Sequence, residues 1–145
     1  MMSGIKNIKL GKEVSIVNPV NIYGCKIGDR VKIGPFVEIQ KDAEIGDDTI
    51  ISSHSFICSG VKIGNNTFVG HGVMFTNDTF DSDIIENWQM KETIVGDRVR
   101  IGSNSTILPV KIGNNVIIGA GSVVTKDIPD NSVVYGNPAK VKRMI

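Results

Sequence analysis

Features that mark several common protein classes are missing from this 145-residue chain. Sixteen Lys and Arg against fifteen Asp and Glu give a net charge of +1, which leaves no strong field to attract nucleic acid or an anionic membrane. No apolar run approaches the roughly 18–20 residues that a membrane span needs. The segment from Met1 to Gly11 lacks the apolar stretch of a secretory signal. The sequence therefore predicts a cytoplasmic protein with no nucleic-acid or membrane partner.

Leucine and aromatic residues are also scarce, whereas glycine, valine and isoleucine are abundant. Leucine occurs only as Leu10 and Leu108, aromatic residues make up 6% of the chain, and there are 16 glycines. Val and Ile are stiff at χ1, which suits pleated strands better than helices. This composition predicts a mostly β protein with many turns.

Large apolar residues recur at every sixth position through the first half of the chain. The pattern breaks after Asn77 and resumes at Val95, with one step of five residues from Ile107 to Ile112. A small or β-branched residue lies four positions after each apolar residue of the first run. That run consists of Ile27, Ile33, Ile39, Ile45, Ile51, Ile57, Ile63, Val69 and Phe75. Such a regular period indicates an internal repeat.

A period of six fits neither one long helix nor one long strand. It fits short strands joined by turns, three to a coil, so that residues one coil apart stack on one another. Gly, Asn and Asp in the turns would supply positive-φ positions. The predicted ladders, which would fill a narrow prism, are Ile27, Ile45, Ile63, Val95 and Ile112; Ile33, Ile51, Val69, Ile101 and Ile118; and Ile39, Ile57, Phe75, Ile107 and Val124.

The six-residue period also predicts what the break in the repeat forms and whether the two cysteines can pair. The stretch at about 78–93 is an insertion of roughly fourteen residues, which predicts an extruded loop. Cys25 and Cys58 lie nearly two coils apart, so their Cα atoms should exceed the ~7 Å that a disulfide allows. We therefore expect two free thiols.

Three strings carry a family resemblance: I-G-D-R-V-K from Ile27, I-G-P-F-V-E from Ile33 and I-G-A-G-S-V from Ile118. They resemble the hexapeptide-repeat transferases, and the likeness extends from about Lys26 to Val141. The resemblance implies an all-β fold, a left-handed parallel β-helix with one extruded loop and a short C-terminal tail. The whole chain, 1–145, is expected to form a single domain of this kind.

The segment Ile118 to Arg143 resembles the closing signature of family members that use acyl-CoA. In that family, Gly/Ala coils hold the pantetheine arm and basic residues near the end meet the phosphates, so the resemblance implies acetyl-CoA as the acyl donor. The residues implied by position are Gly102, Gly119 and Ala120 along the arm, Lys126 at a phosphate, and Asn137, Pro138, Ala139, Lys140 and Arg143 near the nucleotide. Glycine and alanine also fit tight turns, which is the structural alternative.

One departure from the family pattern coincides with the five-residue step. The family usually has glycine after the Leu-Pro pair, but here Leu108-Pro109 is followed directly by Val110. Two interpretations remain open: either the corner of the coil is tightened, or a turn that faces the ligand has changed shape.

The string F-V-G-H-G-V-M-F-T-N-D, from Phe68 to Asp78, resembles nucleotide-sugar N-acyltransferases. In that group the site forms between neighbouring subunits of a trimer, and the loop helps to enclose it. His71 could accept the proton as an amine attacks the thioester, Asn77 could orient the amine, and Asp78 could hold a substrate ammonium. His54 precedes His71 by one position less than a full coil, so it should be its diagonal neighbour on the adjacent coil.

The remaining candidates lie in the loop. Trp88 is expected to pack the loop onto a neighbouring subunit rather than to stack on a nucleobase. The acidic residues Asp81, Asp83 and Glu86 are expected to be solvated rather than to bind a sugar.

Together these features and the resemblances imply a homotrimeric acyltransferase that moves an acetyl group from acetyl-CoA to an amino group of a nucleotide-linked deoxysugar, for surface polysaccharide or glycan assembly. The alternatives are an O-acetyltransferase acting on a sugar or serine hydroxyl, and a non-catalytic β-helix subunit. A metal-dependent anhydrase on the same fold would need three zinc-bound histidines, whereas this chain has two. No metal is therefore expected.

Overall fold

The computed structural model describes residues 4–83 and 85–145, and within them the repeated apolar residues form short strands. The predicted domain boundary at Met1 and the loop residue Ile84 lie outside the described residues. The described part of the chain contains no helix long and apolar enough to cross a membrane. The only helical segment described is a 3₁₀ turn, Ile85–Asn87, in the loop.

The strands, numbered in chain order, form three parallel sheets that wind around one axis. Sheet 1 contains β1 (Ile5–Lys6), β4 (Asn21–Tyr23), β7 (Glu38–Ile39), β10 (Phe56–Ile57), β13 (Met74–Phe75), β16 (Thr106–Ile107) and β19 (Val123–Val124). Sheet 2 contains β2 (Lys9–Leu10), β5 (Lys26–Ile27), β8 (Glu44–Ile45), β11 (Val61–Ile63), β14 (Thr93–Val95) and β17 (Lys111–Ile112). Sheet 3 contains β3 (Ser15–Ile16), β6 (Lys32–Ile33), β9 (Ile50–Ile51), β12 (Phe68–Val69), β15 (Arg100–Ile101), β18 (Ile117–Ile118), β20 (Ser132–Gly136) and β21 (Ala139–Met144).

The register confirms the three predicted ladders. Ile27 pairs with Ile45, Ile33 with Ile51, and the corresponding residues continue up each sheet to Ile112, Ile118 and Val124. All fifteen ladder residues are buried. The result is a parallel β-helix of about seven turns, consistent with the predicted left hand. It is capped by β20 and β21, which form an antiparallel hairpin.

The repeat begins earlier than the sequence pattern indicates. Ile5 pairs with Ile22, Leu10 with Ile27, and Ile16 with Ile33. The steps from Ile5 to Leu10 and from Ile22 to Ile27 each cover five positions instead of six, so the first two coils on sheet 1 have 17 residues instead of 18. A search at a strict period of six therefore stops at Ile27.

The five-residue step from Ile107 to Ile112 tightens a corner without changing the register. The amide of Ile94 donates to the carbonyl of Val110 at 3.0 Å, and Ile94 pairs with Lys111 in the regular ladder. Val110, which stands where the family has glycine, is only 5% exposed and points into the core. The first of the two open interpretations is therefore the one observed.

One edge of the prism is tied together by a ladder of side chains. At each coil an Asp or Asn oxygen accepts a hydrogen bond from a backbone amide of the coil before, at 2.7–2.8 Å. The residues that accept are Asp29, Asp47, Asn65, Asp97, Asn114 and Asp130. These bonds satisfy corner amides that the strand ladders do not reach.

This ladder predicts an effect that depends on the oxygen atom and not on the charge. We expect Asp97→Ala to lower the free energy of unfolding by about 1 kcal/mol, because the amide of Asn65 loses its acceptor. Asp97→Asn keeps an acceptor oxygen and should cost less than about 0.5 kcal/mol. Urea unfolding at one fixed protein concentration measures both. Equal losses in the two variants would contradict a role for the oxygen.

The inserted loop leaves and re-enters the helix at the same corner. The amide of Lys91 donates to the carbonyl of Asn77 at 3.0 Å across the base of the loop. The next strand, β14, pairs with β11 from Val61 opposite Thr93 to Ile63 opposite Val95. The predicted extruded loop is confirmed by this geometry.

Candidate active site

Three edges of the prism carry the polar residues, and each edge is named here by the two sheets it joins. The 1–2 edge contains Gln40, Ser59 and Asn77, and the 2–3 edge contains the Asp and Asn ladder. The 3–1 edge contains Ser53, His71, Ser103 and Ala120 on successive coils, with His54 next to Ser53 on the same coil. His71 therefore lies on a different edge from Asn77.

His71 is held between two serines on the 3–1 edge. Its ring atom Nδ1 lies 2.9 Å from the hydroxyl oxygen of Ser53, one coil below. Its backbone amide donates to the hydroxyl oxygen of Ser103, one coil above, at 3.2 Å. The ring itself is exposed, so its other nitrogen can meet a ligand.

His54 has a different environment. Its ring lies against that of Phe36 on the coil below, with the ring centroids 4.8 Å apart and the planes tilted by 32°. Its backbone has a φ of 66°, and its amide donates to the carbonyl of Pro35. His54 is thus displaced by one position from the Ser53–His71 pair, as its spacing predicts.

A groove of about 410 Å³ runs beside His71 toward the N-terminal coils. Its walls include the apolar side chains of Val17 and Ile50, with Lys32 as the charged residue and Ser53 next to His71. With Ser15 and Ser52 also in the lining, the groove offers one cation, three serines and an apolar wall to a ligand that reaches the imidazole.

Toward the C-terminus, the 3–1 edge carries the predicted pantetheine residues. The amides of Gly102 and Gly119 donate to the carbonyls of Ile118 and Val134 at 2.8 and 2.9 Å. Both amides are therefore engaged in the backbone hydrogen bonds between coils. A Cβ on Gly102 would overlap the backbone of Ala120, and one on Gly119 would lie 2.7 Å from Cβ of Tyr135. Close stacking of coils therefore accounts for both glycines.

The other predicted cofactor residues divide between this edge and two other places. Asn137 and Pro138 form the turn of the β20–β21 hairpin, with Ala139 opposite Gly136 and Lys140 opposite Tyr135. Because β20 runs beside β18, this turn lies past Ala120 on the 3–1 edge.

Lys126 and Arg143 lie away from that turn. Lys126 is exposed on the 1–2 edge, between β19 and the bridge that joins Ile112 to Ile128. Arg143 pairs with Val133 at the far end of the hairpin. Within one chain, neither joins Gly102, Gly119 and Ala120.

Asn77 and Asp78 form the base of the loop. The side-chain amide of Asn77 donates to the carbonyl of Ser59 at 3.0 Å, and a carboxylate oxygen of Asp78 accepts from the amide of Phe80 at 2.7 Å. The loop encloses a cavity of about 320 Å³ lined by Asp78, Phe80, Trp88 and Lys91, among others. Asp81 pairs with Lys91 at 3.6 Å.

The two cysteines are buried and free, as predicted. Burial raises the pKa of each thiol to about 11, so the reactive thiolate appears only as the pH approaches that value. At pH 8 about one thiol in a thousand would be ionised. Neither side chain belongs to the 3–1 edge.

This pKa shift predicts that the native protein reacts slowly with Ellman's reagent. At pH 8 we expect far less than one thiol per chain to react within minutes, and two per chain after denaturation. The denatured protein is the control for reagent and concentration. Rapid titration of either cysteine in the native protein would contradict the burial.

The three parallel sheets and the glycine-containing corners define a β-helix built from hexapeptide repeats. Two family models match it: "Bacterial transferase hexapeptide (six repeats)" at residues 24–59 and 42–77, and "Hexapeptide repeat of succinyl-transferase" at residues 92–126. Together they match more than half of the chain. The chain belongs to the hexapeptide-repeat transferase family.

The curated relatives that this chain matches are longer proteins. The bifunctional protein GlmU of Ruthia magnifica is 35% identical over 121 residues, which is 72% of this chain. This chain spans about a quarter of the length of the curated relatives that it matches.

Two solved structures show the range of acceptors. A GDP-perosamine N-acetyltransferase of Caulobacter crescentus, in complex with CoA and GDP-perosamine, is 25% identical with a TM-score of 0.74, and the match covers 90% of this chain and 56% of that one. The polysialic acid O-acetyltransferase OatWY is 26% identical with a TM-score of 0.78, and the match covers 96% and 74%.

The sequence analysis did not predict the residues that contact His71. His54 stood out there as its neighbour, whereas the residue that stacks beneath His71 is Ser53, one full coil earlier. Ser103, one coil above, is farther away along the chain because the coil between them contains the loop. The coil length that the repeat implies is the signal that points to Ser53.

Proposed function

We propose that this protein is an acetyltransferase that uses acetyl-CoA and transfers the acetyl group to an amino group of a nucleotide-linked deoxysugar. The observation that carries the proposal is the position of His71. It lies on one edge of the prism between the groove that contains Lys32 and the upper coils that contain Gly102, Gly119 and Ala120. A donor on the upper coils and an acceptor in the groove would meet at this imidazole.

The reaction follows from that arrangement. The neutral amine nitrogen of the acceptor attacks the carbonyl carbon of the thioester, so that a C–N bond forms and the C–S bond breaks. The sulfur leaves with the bonding electrons as the thiolate of coenzyme A. The nitrogen loses one proton, which passes to Nε2 of His71. The imidazolium then gives the proton to solvent or to the thiolate.

The proposed cofactor contacts are those implied by the family pattern. Ala120 and the hairpin turn from Asn137 to Lys140 would line the pantetheine arm and the nucleotide, since they share the edge with His71. Within one chain, Lys126 and Arg143 lie away from this edge. They would contact the phosphates only from a neighbouring copy, or if the phosphates extend beyond the edge. The CoA in the complex of the Caulobacter relative supports the choice of donor.

We also propose that the protein is a homotrimer with its sites between subunits. His71 and Asn77 are six residues apart across sheet 1, a distance of up to about 20 Å at ~3.3 Å per residue. Within one subunit, His71 and Asn77 are therefore too far apart to contact the same reacting group. If sheet 1 of one copy packs on sheet 3 of the next, the 3–1 edges come together and sheet 1 of the neighbour borders the groove beside His71, whereas Asn77 and Asp78 lie near the neighbour's 2–3 edge.

The outward faces of the sheets support this packing. Ile50 and Phe68 on sheet 3, and Phe56 and Met74 on sheet 1, flank the edge that carries His71, and all four are partly exposed. Sheet 2 has Lys9, Lys26, Lys62 and Lys111 at outward positions, with the exposed Ile94 between the last two, and sheet 3 also has Lys32 and Arg100 at outward positions. Contiguous apolar patches of this kind are typical of interfaces.

The oligomer is tested by sedimentation of the wild type and of Phe68→Glu. We expect a trimer for the wild type and dissociation for the variant, because the new carboxylate would be buried against the neighbouring subunit. Lys62→Glu on sheet 2 is the matched control and should remain trimeric. A wild-type monomer at micromolar concentration would overturn the shared-site arrangement.

A second candidate function is O-acetylation, which the likeness to the polysialic acid O-acetyltransferase favours. A hydroxyl is a weaker nucleophile than a neutral amine, so this reaction would depend more strongly on His71. A non-catalytic β-helix subunit would keep the ladders and bind no acyl-CoA.

One assay separates these functions. Thiol release from acetyl-CoA is measured against a panel of amino-sugar nucleotides, plain sugars and serine, with a blank that contains no acceptor. Release with one amino-sugar nucleotide alone is the expected result. Release with a sugar or serine hydroxyl would replace N-acetylation by O-acetylation. Absence of both release and acetyl-CoA binding would leave the non-catalytic function.

A further inference from the structure

The Ser53–His71 contact is specific to the ring of His71. The hydroxyl oxygen of Ser53 lies 2.9 Å from Nδ1, which is within hydrogen-bonding distance. Ser53 is half-buried at the corner between β9 and β10, directly beneath His71 in the coil stack. Both residues also line the groove that contains Lys32. The contact thus belongs to the same surface as the proposed acceptor site.

The direction of this hydrogen bond decides what the ring can do. A neutral imidazole carries one N–H, and the bond made by one nitrogen sets which of them holds the proton. If Nδ1–H donates to Ser53, Nε2 keeps its lone pair and can act as a base. If the hydroxyl of Ser53 donates to Nδ1, Nε2 carries the proton and can only donate.

We propose that Ser53 is a positioning residue that accepts a hydrogen bond from Nδ1–H of His71 and so keeps Nε2 unprotonated for the ligand. The inference rests on the proposed function, which requires Nε2 to accept the amine proton. Ser53 forms no bond to substrate in this scheme. It acts through His71, by fixing the tautomer and the orientation of the ring.

The tautomer is measured directly by long-range ¹H–¹⁵N NMR of protein labelled at histidine, at about pH 9, where an ordinary imidazole is neutral. The chain has two histidines, and a His54→Gln variant assigns the signals of His71. We expect a protonated Nδ1 in the wild type. In Ser53→Ala we expect the proton to move mainly to Nε2.

Two variants control for structural effects. Ser53→Thr keeps the hydroxyl and should retain the wild-type tautomer. Ser103→Ala removes the serine that contacts the backbone amide of His71 instead of its ring, so the tautomer should not change. With the acceptor identified by the panel, Ser53→Ala should lower kcat about tenfold with little change in KM, and Ser53→Thr should restore most of it.

The positioning role of Ser53 and the proposed acetyl transfer can be disproved independently of each other. A wild-type ring protonated on Nε2, or a tautomer unchanged in Ser53→Ala, would overturn the positioning role even if the enzyme acetylates an amino sugar. A protein that shows the expected tautomer and its loss in Ser53→Ala, but no thiol release with any acceptor, would support the positioning of His71 and overturn the proposed reaction.

Discussion

Replacement of His71 by alanine should lower kcat for acetyl transfer by about 10²–10⁴, the usual contribution of a positioned general base. The substitution removes the ring but keeps the backbone amide that donates to Ser103, so the corner is expected to retain its shape. Coenzyme A should still bind, because the upper coils are unchanged. The measurement is kcat and KM by thiol release, with calorimetric titration of coenzyme A.

His54 offers a matched control for that substitution. It is the other histidine of the chain, it is on the same edge, and its ring contacts Phe36 rather than the groove. We expect His54→Ala to lower kcat much less than His71→Ala does. Full activity in His71→Ala would mean that the departing thiolate takes the proton and that no protein base is needed.

Replacement of Phe75 by alanine should lower the free energy of unfolding by about 3–5 kcal/mol. Phe75 is 1% exposed and stands in the ladder of sheet 1, with Ile107 on the coil above. Its loss leaves a cavity that a solenoid of stacked coils cannot easily close, since each coil is held in register by its neighbours. A change of this size is a large part of the total stability of a small domain.

The control for Phe75 is Phe80 in the loop, which is 82% exposed. Phe80→Ala should change the free energy of unfolding by less than about 0.5 kcal/mol. Urea unfolding of the three proteins at one concentration gives both values. A loss in Phe75→Ala as small as that in Phe80→Ala would contradict the buried ladder.

The ladders could be predicted because their physical requirement is simple. A side chain that points into a narrow prism must be apolar at every coil, and Ile39, Ile57 and Phe75 display that need on three successive coils. The N-terminal coil was missed because it contains a five-residue step. Register depends on backbone pairing, which tolerates one residue more or less at a corner, whereas a fixed period does not.

The corners were harder to predict than the strands. Gly, Asn and Asp were expected to supply the positive-φ positions, and Asp48 and Asn66 do so, but Arg30, Phe36 and His54 adopt the same backbone. The corner imposes the conformation on whatever residue is there. Likewise, each Asp or Asn of the ladder accepts from an amide of a neighbouring coil. The two residues are far apart in the sequence, so the sequence pattern does not reveal the hydrogen bond.

The site illustrates the same limit. The sequence pointed to His71 and Asn77, and in the structure they lie on the 3–1 and 1–2 edges. Their separate roles stay predictions. The partners of His71 were missed because Ser53 is an ordinary residue in a sequence and becomes notable only one coil beneath an imidazole.

The way in which the loop is attached separates the pairing of the coils from the residues of the loop. The hydrogen bond from Lys91 to Asn77 closes the loop at its base, and Val61 pairs with Thr93 as if the intervening residues were absent. The coils on either side of the insertion therefore pair in the same register as coils without one. The residues of such a segment can change while the coils keep their pairing, so what the loop contacts can be altered without altering the fold.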